Sequence, residues 1–268
     1  MADLKDLTIV IRGAGEMATG VAHRLANCHF RVICTERPDP LAVRRRVSFC
    51  EAIGQKTVRV EGVTARQVSG LDEAERAWAA GEAPILIDPD LTCLTALKPE
   101  VLIEASLAKK NTFGLRADWA PLVIALGPGF SAPEEALFVI ETNRGHNLGR
   151  LITSGQAEAD TGAPGAIEGY TWQRVFRAPA GGVFETERAI GDLVEEGEAI
   201  GRVGSQPVRA GVGGMIRGLI RSETPVSQGL KLGDVDPRGA RAFPDRISEK
   251  ARAIGGSVLE CILRIYNT

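Results

Sequence analysis

The chain has 268 residues, more than a single hydrophobic core usually serves, so two domains are expected. Hydrophobic residues make up 44% and charged residues 25%, an ordinary globular balance, and a net charge of −2 argues against a nucleic-acid partner. No apolar run approaches the roughly 18 residues of a membrane helix, and residues 1–6 lack the charged-then-apolar pattern of a signal peptide. The five cysteines (Cys28, Cys34, Cys50, Cys93, Cys261) are odd in number and scattered. The expectation is a cytoplasmic protein with reduced thiols, no metal site and no membrane partner.

Residues 7–36 read as an apolar strand (7–11), a glycine turn, a helix (16–27) and a second strand (31–35) closed by Glu36. The turn has the G-x-G-x-x-A form of a dinucleotide-binding fingerprint at Gly13, Gly15 and Ala18. Gly13 would allow the tight turn, Gly15 would let backbone approach a pyrophosphate, and Ala18 would let helix and strand pack closely. The N–H groups across Gly13, Ala14, Gly15, Glu16, Met17 and Ala18 are therefore expected to face a phosphate. Glu36 is expected to meet a ribose hydroxyl.

Met17, Val21 and Leu25 recur at helical spacing, with Ala18 and Ala22 widening the stripe, as in a helix laid on a sheet. Asp39 and Pro40 read as the start of another helix carrying Arg44, Arg45 and Arg46. Those arginines are either a solvated face or, with Arg37, partners for a phosphate. Strands are expected at 57–60, 63–66, 84–87, 101–105, 122–126 and 137–140, and helices at 71–80 and 91–97. Their carboxyl ends carry Glu36, Asp88, Ser106, Gly127-Pro128-Gly129 and Glu141 to His146, the edge where open parallel sheets bind ligands. Lys109, Lys110 and Asn111 follow one strand end. A lysine there, Lys109 or Lys110, either is a solvated loop lysine or holds an anion or works as a base. Arg144 and His146 flank Gly145, and His146 is the best acid/base candidate of the three histidines. The catalytic candidates are thus Lys109, Asn111, Arg144 and His146, and they form no recognisable dyad.

From about Val175 the chain becomes short β segments and glycine turns, with an internal repeat. A shift of 32 residues carries Arg177-Ala178 onto Arg209-Ala210 and Gly181-Gly182 onto Gly213-Gly214. The same shift carries Val194, Gly197, Gly201 and Val203 onto Val226, Gly229, Gly233 and Val235. Each unit resembles the half-repeat of biotinyl/lipoyl domains, the barrel-sandwich hybrid. The junction 203–208, where carrier domains bear their modified lysine, has no lysine, so neither biotin nor lipoate is expected. Ile247, Ala251, Ile254, Val258, Ile262 and Ile265 then predict a helix over 248–265, with Gly255-Gly256 in its middle. The expected fold class is α/β, a Rossmann-like parallel sheet plus an all-β barrel-sandwich-hybrid module and a C-terminal helix. The expected domains are 1–172, 173–238 and 239–268, the last packing back.

Four stretches together resemble the YqeB-type accessory proteins of the selenium-dependent molybdenum hydroxylase system, which are related to maturation factors of xanthine and carbon monoxide dehydrogenases. They are 11–15 with Ala18-Thr19-Gly20, 125–130 (Ala-Leu-Gly-Pro-Gly-Phe), 140–146 (Ile-Glu-Thr-Asn-Arg-Gly-His) and 233–239 (Gly-Asp-Val-Asp-Pro-Arg-Gly). The resemblance implies a role in maturing or delivering a molybdenum cofactor to a hydroxylase, with no established reaction. The chain lacks the separate cysteine-containing N-terminal domain of the longer maturation factors, which puts sulfuration by this chain alone in doubt. The resulting expectation is a nucleotide-binding maturation factor whose Gly13–Ala18 loop and Gly127-Pro128-Gly129 cradle NAD(P), another dinucleotide or a molybdopterin dinucleotide. The alternatives are an NAD(P)-dependent oxidoreductase and a scaffold without ligand.

Overall fold

In a computed structural model the structure describes residues 4–241 and 243–267. The chain forms two compact units. The first contains the residues up to Pro40, Ser48–Asp160 and the C-terminal segment from Ile247; the second contains Leu41–Val47 and Thr161–Arg246. The boundaries expected at 172 and 238 differ, because 161–172 and 41–47 join the β-rich unit and the C-terminal helix joins the first.

The first unit begins with β1 (Thr8–Arg12), α1 (Glu16–Asn27) and β2 (Arg31–Glu36). A short, kinked α2 (Ala52–Gln55) leads to β3 (Thr57–Val60), β4 (Val63–Val68), α3 (Leu71–Ala79) and β5 (Ala83–Ile87). Then come α4 (Leu94–Leu97), β6 (Val101–Glu104), β7 (Leu122–Leu126), β8 (Ser131–Ala132), β9 (Phe138–Ile140), β10 (Leu151–Ile152) and β11 (Gly155–Gln156). Nine of these strands make one sheet in the order β10-β9-β7-β6-β1-β2-β5-β4-β3. The central strands pair in parallel and are buried on both faces, which is why they read as continuous apolar runs.

The sheet is mixed, however: β3 and β10 close its two edges antiparallel. Between β5 and β6 stands only the four-residue α4, and neither β6–β7 nor β7–β9 is joined by a helix. The expected Rossmann-like parallel sheet is therefore corrected to a nine-stranded mixed sheet. In place of crossover helices, irregular segments carrying Leu91, Leu115 and Phe130 pack with α3 residues Ala74 and Ala77 on Val10, Ile33, Leu102 and Val123.

The C-terminal helix α5 (Glu249–Tyr266), capped by Ser248 Oγ accepting from the Ala251 N–H, lies on α1 and reaches β7 and β9. It covers sheet surface that the helix-free connections leave open. Its crossing with α1 is made by small residues. A Cβ on Gly20 would stand 2.7 Å from Ala251 Cβ, and one on Gly255 would stand 2.9 Å from the Gly20 carbonyl oxygen. Gly255 thus marks close packing, while a Cβ on Gly256 would meet nothing.

The second unit holds β12 (Val175–Arg177), β13 (Gly182–Glu185), β14 (Leu193–Val194), β15 (Ala199–Val203), β16 (Gln206–Arg209), β17 (Gly214–Leu219), β18 (Thr224–Val226) and β19 (Lys231–Asp236). They form two separate four-stranded antiparallel sheets, β12-β19-β17-β14 and β16-β15-β13-β18. The expectation of a barrel-sandwich hybrid is corrected to this pair of antiparallel sheets. The sequence shift carries β12 to β16, β13 to β17, β14 to β18 and β15 to β19, so it exchanges one sheet for the other. Phe176, Phe184, Ile200, Ile216, Leu219 and Leu232 fill a common core.

The expected helix after Pro40 is instead a single 3₁₀ turn, Arg45–Val47. Arg44 Nη2 donates to the carbonyls of Phe243, Pro244 and Arg246 at 3.3, 3.4 and 3.0 Å. Arg45 Nε donates to the Leu219 carbonyl at 2.7 Å, and Arg46 pairs with Asp245 at 3.3 Å. All three arginines tie their own unit together rather than awaiting a phosphate. Among the described residues, no helix is long and apolar enough to cross a membrane.

The helix crossing yields a direct test. Gly20→Val should destabilise the protein by about 1–3 kcal/mol through overpacking. Gly256→Ala, with open space around it, should be neutral or stabilising by up to about 1 kcal/mol. Urea unfolding of the two variants against the parent checks both.

Candidate functional site

The carboxyl ends of β1, β2, β5 and β6 surround a cavity of about 520 Å³, lined by Arg12, Gly13, Thr35, Glu36, Arg37, Pro89, Ser106, Lys110, Phe113 and Phe130 among others. That volume falls within the range of small-molecule sites. Its anchor is a cross-strand ion pair. Arg12 and Glu104 end β1 and β6 and sit opposite one another in the parallel register. Arg12 Nη1 lies 2.8 Å from Glu104 Oε2, and Glu104 is fully buried. The other Glu104 oxygen accepts the Ser106 N–H at 2.9 Å. The guanidinium also lies 3.7 Å from the centroid of Phe113, which meets Trp119 edge-on at 5.6 Å.

The glycine turn is held from all sides. Gly13, at φ +107°, donates its N–H to the Thr35 carbonyl at 2.8 Å, and a Cβ there would stand 3.3 Å from the Ala105 carbonyl group. Glu36 Oε2 accepts the Ala14 N–H at 3.0 Å and Oε1 accepts the Arg37 N–H at 2.9 Å. The Ala14 carbonyl accepts from Cys50 N at 2.9 Å and from Thr19 Oγ1 at 3.2 Å. Glu36 thereby fills the anion position of the turn with its own carboxylate. Of the residues expected to bind a cofactor, Gly13, Glu36 and Ser106 line the cavity. Ala14, Gly15, Glu16, Met17 and Ala18 do not line it, and Ala14, Met17 and Ala18 are buried. Gly15 is the N-cap of α1 at φ −71°, an ordinary conformation for any residue.

Gly127, Pro128 and Gly129 are also absent from the cavity wall. Gly127 has φ +91°, and a Cβ on Gly129 would stand 2.3 Å from the Ala108 carbonyl oxygen. This loop therefore supports the 107–110 segment that presents Lys110. Lys109 forms an ion pair with Asp160. Asn111 donates to the Leu115 carbonyl at 2.9 Å and to Glu135 at 2.8 Å, and accepts the Leu115 N–H at 2.8 Å. Arg144 pairs with Glu249, and His146 is exposed. No hydrogen bond or ion pair joins any two of Lys109, Asn111, Arg144 and His146. Among the described residues, no group of three His, Cys, Asp or Glu side chains is placed to hold a metal ion.

Sequence reasoning passed over the Arg12–Glu104 pair, Phe113 and Thr35. The available signal was one charge of each sign terminating two otherwise apolar strands. The Thr35 hydroxyl is buried at the cavity wall without a hydrogen-bond partner. Asp88, just after β5, is held differently. Burial would raise its pKa, but N–H groups of Cys93 (2.8 Å) and Thr92 (2.9 Å) outweigh that and hold it below its ordinary 3.8. Lys250, at the start of α5, is half-buried, and burial plus the neighbouring Arg144 charge push its pKa down.

Two outcomes follow from these placements. Arg12→Ala strands a buried carboxylate and should cost about 3–5 kcal/mol in denaturant unfolding, part of which Arg12→Ala/Glu104→Ala should restore. Asp88 has a depressed folded pKa, so its stabilisation is complete above the unfolded value and is lost as pH falls through the folded one. The difference in unfolding midpoint between the parent and Asp88→Asn should hold from neutral pH to about pH 5 and shrink below about pH 4.

No family model matches the chain. Among solved structures it is similar to a succinylglutamate desuccinylase/aspartoacylase from Rhodobacter sphaeroides, 13% identical with a TM-score of 0.27 over 86% of this chain and 85% of that one. It is also similar to the product-bound ectoine utilization protein EutE (DoeB) from Ruegeria pomeroyi, 12% identical with a TM-score of 0.25 over 86% and 85% of the two chains. Neither is named as a Rossmann or biotinyl protein, and scores this low assign no fold and no chemistry. The chain is similar to "Uncharacterized protein YqeB" of Escherichia coli (strain K12), 47% identical over 259 residues. It spans about half the length of that relative, 48%, while the match covers 97% of this chain. Identity is sustained at that level across nearly all the residues of this chain.

Proposed function

We propose that the cavity at the carboxyl ends of β1, β2, β5 and β6 binds a phosphate-bearing, nucleotide-type small molecule, and that the chain acts as an accessory factor in maturing a molybdenum hydroxylase. The observation that carries the binding reading is the donor set of the cavity. Among the described residues, the side chains of Arg37 and Lys110 both line it with no hydrogen-bond or ion-pair partner. Two unpaired cations beside the hydroxyls of Ser106 and Thr112 suit the oxygens of a phosphate. Phe113 and Phe130 offer apolar wall to a planar ring. A dinucleotide or a pterin dinucleotide would find its phosphate donors here, with the organic chemistry left to the bound molecule. The maturation role rests on the four stretches that resemble YqeB-type accessory proteins.

Calorimetric titration with NAD⁺, NADP⁺, FAD and CTP should reveal binding by at least one. Ser106→Trp, which fills the mouth of the cavity from an exposed position, should weaken it at least about tenfold while leaving the thermal midpoint within a few degrees. Absence of binding by all four overturns the binding reading. Hydroxylase activity that is unchanged in cells lacking the protein overturns the maturation role.

A further inference from the structure

Lys250 stands in the first turn of α5, just after the Ser248 cap and Glu249. A helix N-terminus carries positive partial charge, so it is a poor place for an ammonium ion and a better one for a neutral amine. The side chain is also half-buried. Desolvation disfavours the charged form of a lysine and so acts in the same direction.

The surrounding charges could offset that cost, but most are engaged with other groups. Arg144 lies close enough to repel the ammonium, while Glu16, Glu141 and Asp160 lie close enough to attract it. Glu249, the neighbour of Lys250 on the helix, pairs with Arg144. Glu141 is buried, with Oε1 accepting the Asn143 N–H at 2.6 Å and Oε2 accepting the Glu158 N–H at 2.7 Å. Asp160 pairs with Lys109. Glu16 acts from the first turn of α1, the helix on which α5 packs. Among the described residues the Lys250 amine has no hydrogen-bond or ion-pair partner. Burial and Arg144 outweigh the three carboxylates, so the amine gives up its proton below the ordinary 10.5.

A neutral lysine without a hydrogen-bond partner keeps its lone pair for chemistry. The surroundings also select the electrophile. The helix terminus and Arg144, which disfavour the ammonium, favour the negative oxygen that develops when an amine adds to a carbonyl.

We infer that Lys250 is a reactive amine that holds a small aldehyde as an imine. Its Nζ lone pair forms a bond to the carbonyl carbon. Both nitrogen-bound protons pass to the carbonyl oxygen, which leaves as water, and a carbon–nitrogen double bond remains. Nothing is oxidised or reduced. Lys250 does not line the cavity at the ends of β1, β2, β5 and β6, so this site is independent of nucleotide binding.

Formaldehyde with cyanoborohydride tests this on the full chain. The added reductant traps each imine as a methylated amine, and peptide mass spectrometry reads the rate at each lysine. At pH 7 Lys250 should react at least about threefold faster than the exposed Lys56 and Lys98, despite its burial. That advantage should narrow as pH approaches about 10.4, where an ordinary lysine also loses its proton. It should vanish in urea, which removes the burial and the helix. Arg144→Gln deletes the repelling charge and should lower the advantage, while Arg144→Lys should keep it, with thermal midpoints reporting that both variants fold. Lys250 reacting no faster than Lys56 and Lys98 overturns the inference. So does an advantage that persists in urea or that Arg144→Gln leaves unchanged.

Discussion

A buried carboxylate has to be matched, and the first unit is arranged around meeting that demand for Glu104. A fully buried charge left alone costs several kcal/mol. The parallel register of β1 and β6 brings Arg12 directly opposite and supplies the partner. The consequence reaches beyond the pair. Arg12, once committed, becomes a fixed wall on which Phe113 stacks, and Phe113 in turn meets Trp119. The segment after β6, which has no helix to shape it, takes its place at the cavity from that stack. One ion pair thus positions a side of the site and removes its own positive charge from it.

The second constraint is coverage. A sheet whose crossovers lack helices leaves apolar surface to be buried by something else. Here a helix from the far end of the chain, α5, packs on α1 and against β7 and β9. Such an arrangement works only if the two helices come close, and Gly20, Ala251 and Gly255 permit that. Residues 247–267 are thereby bound into a unit whose strands lie within the first 160 residues.

The strands were legible because central parallel strands are apolar on both faces, and α1 and α5 were legible through helical periodicity. The sheet's mixed character was not. Antiparallel edges depend on pairing between segments, and local patterns of Val, Arg and Thr at 57–60 and 63–68 are the same for either direction. The repeat was legible because glycines and valines recur at fixed offset, but it did not specify how the copies pair. Arg44, Arg45 and Arg46 misled for a similar reason: their acceptors, the carbonyls of Phe243, Pro244, Arg246 and Leu219 with the Asp245 carboxylate, lie some 170 to 200 positions away. In the candidate site, Gly13 was found from the glycine fingerprint, and Glu36 and Ser106 from the strand-end rule. Arg12 and Glu104 were not: each charge is visible at the end of an apolar run, but the register that sets the two opposite one another is not.

Glu36 shows why a fingerprint and a site are different things. The Gly13–Ala18 spacing marks a tight strand-to-helix turn, and such a turn exposes N–H groups that need an acceptor. A ligand phosphate is one acceptor, and a carboxylate at the end of the neighbouring strand is another. In this chain the carboxylate of Glu36 takes the Ala14 N–H, Thr35 takes that of Gly13, and Thr19 and Cys50 close the other side. The Gly13 and Ala14 N–H groups are satisfied without any ligand, so this part of the turn behaves as framework. It engages the Glu36 carboxylate, while the side chain of Arg37, the next residue, stays exposed at the cavity wall.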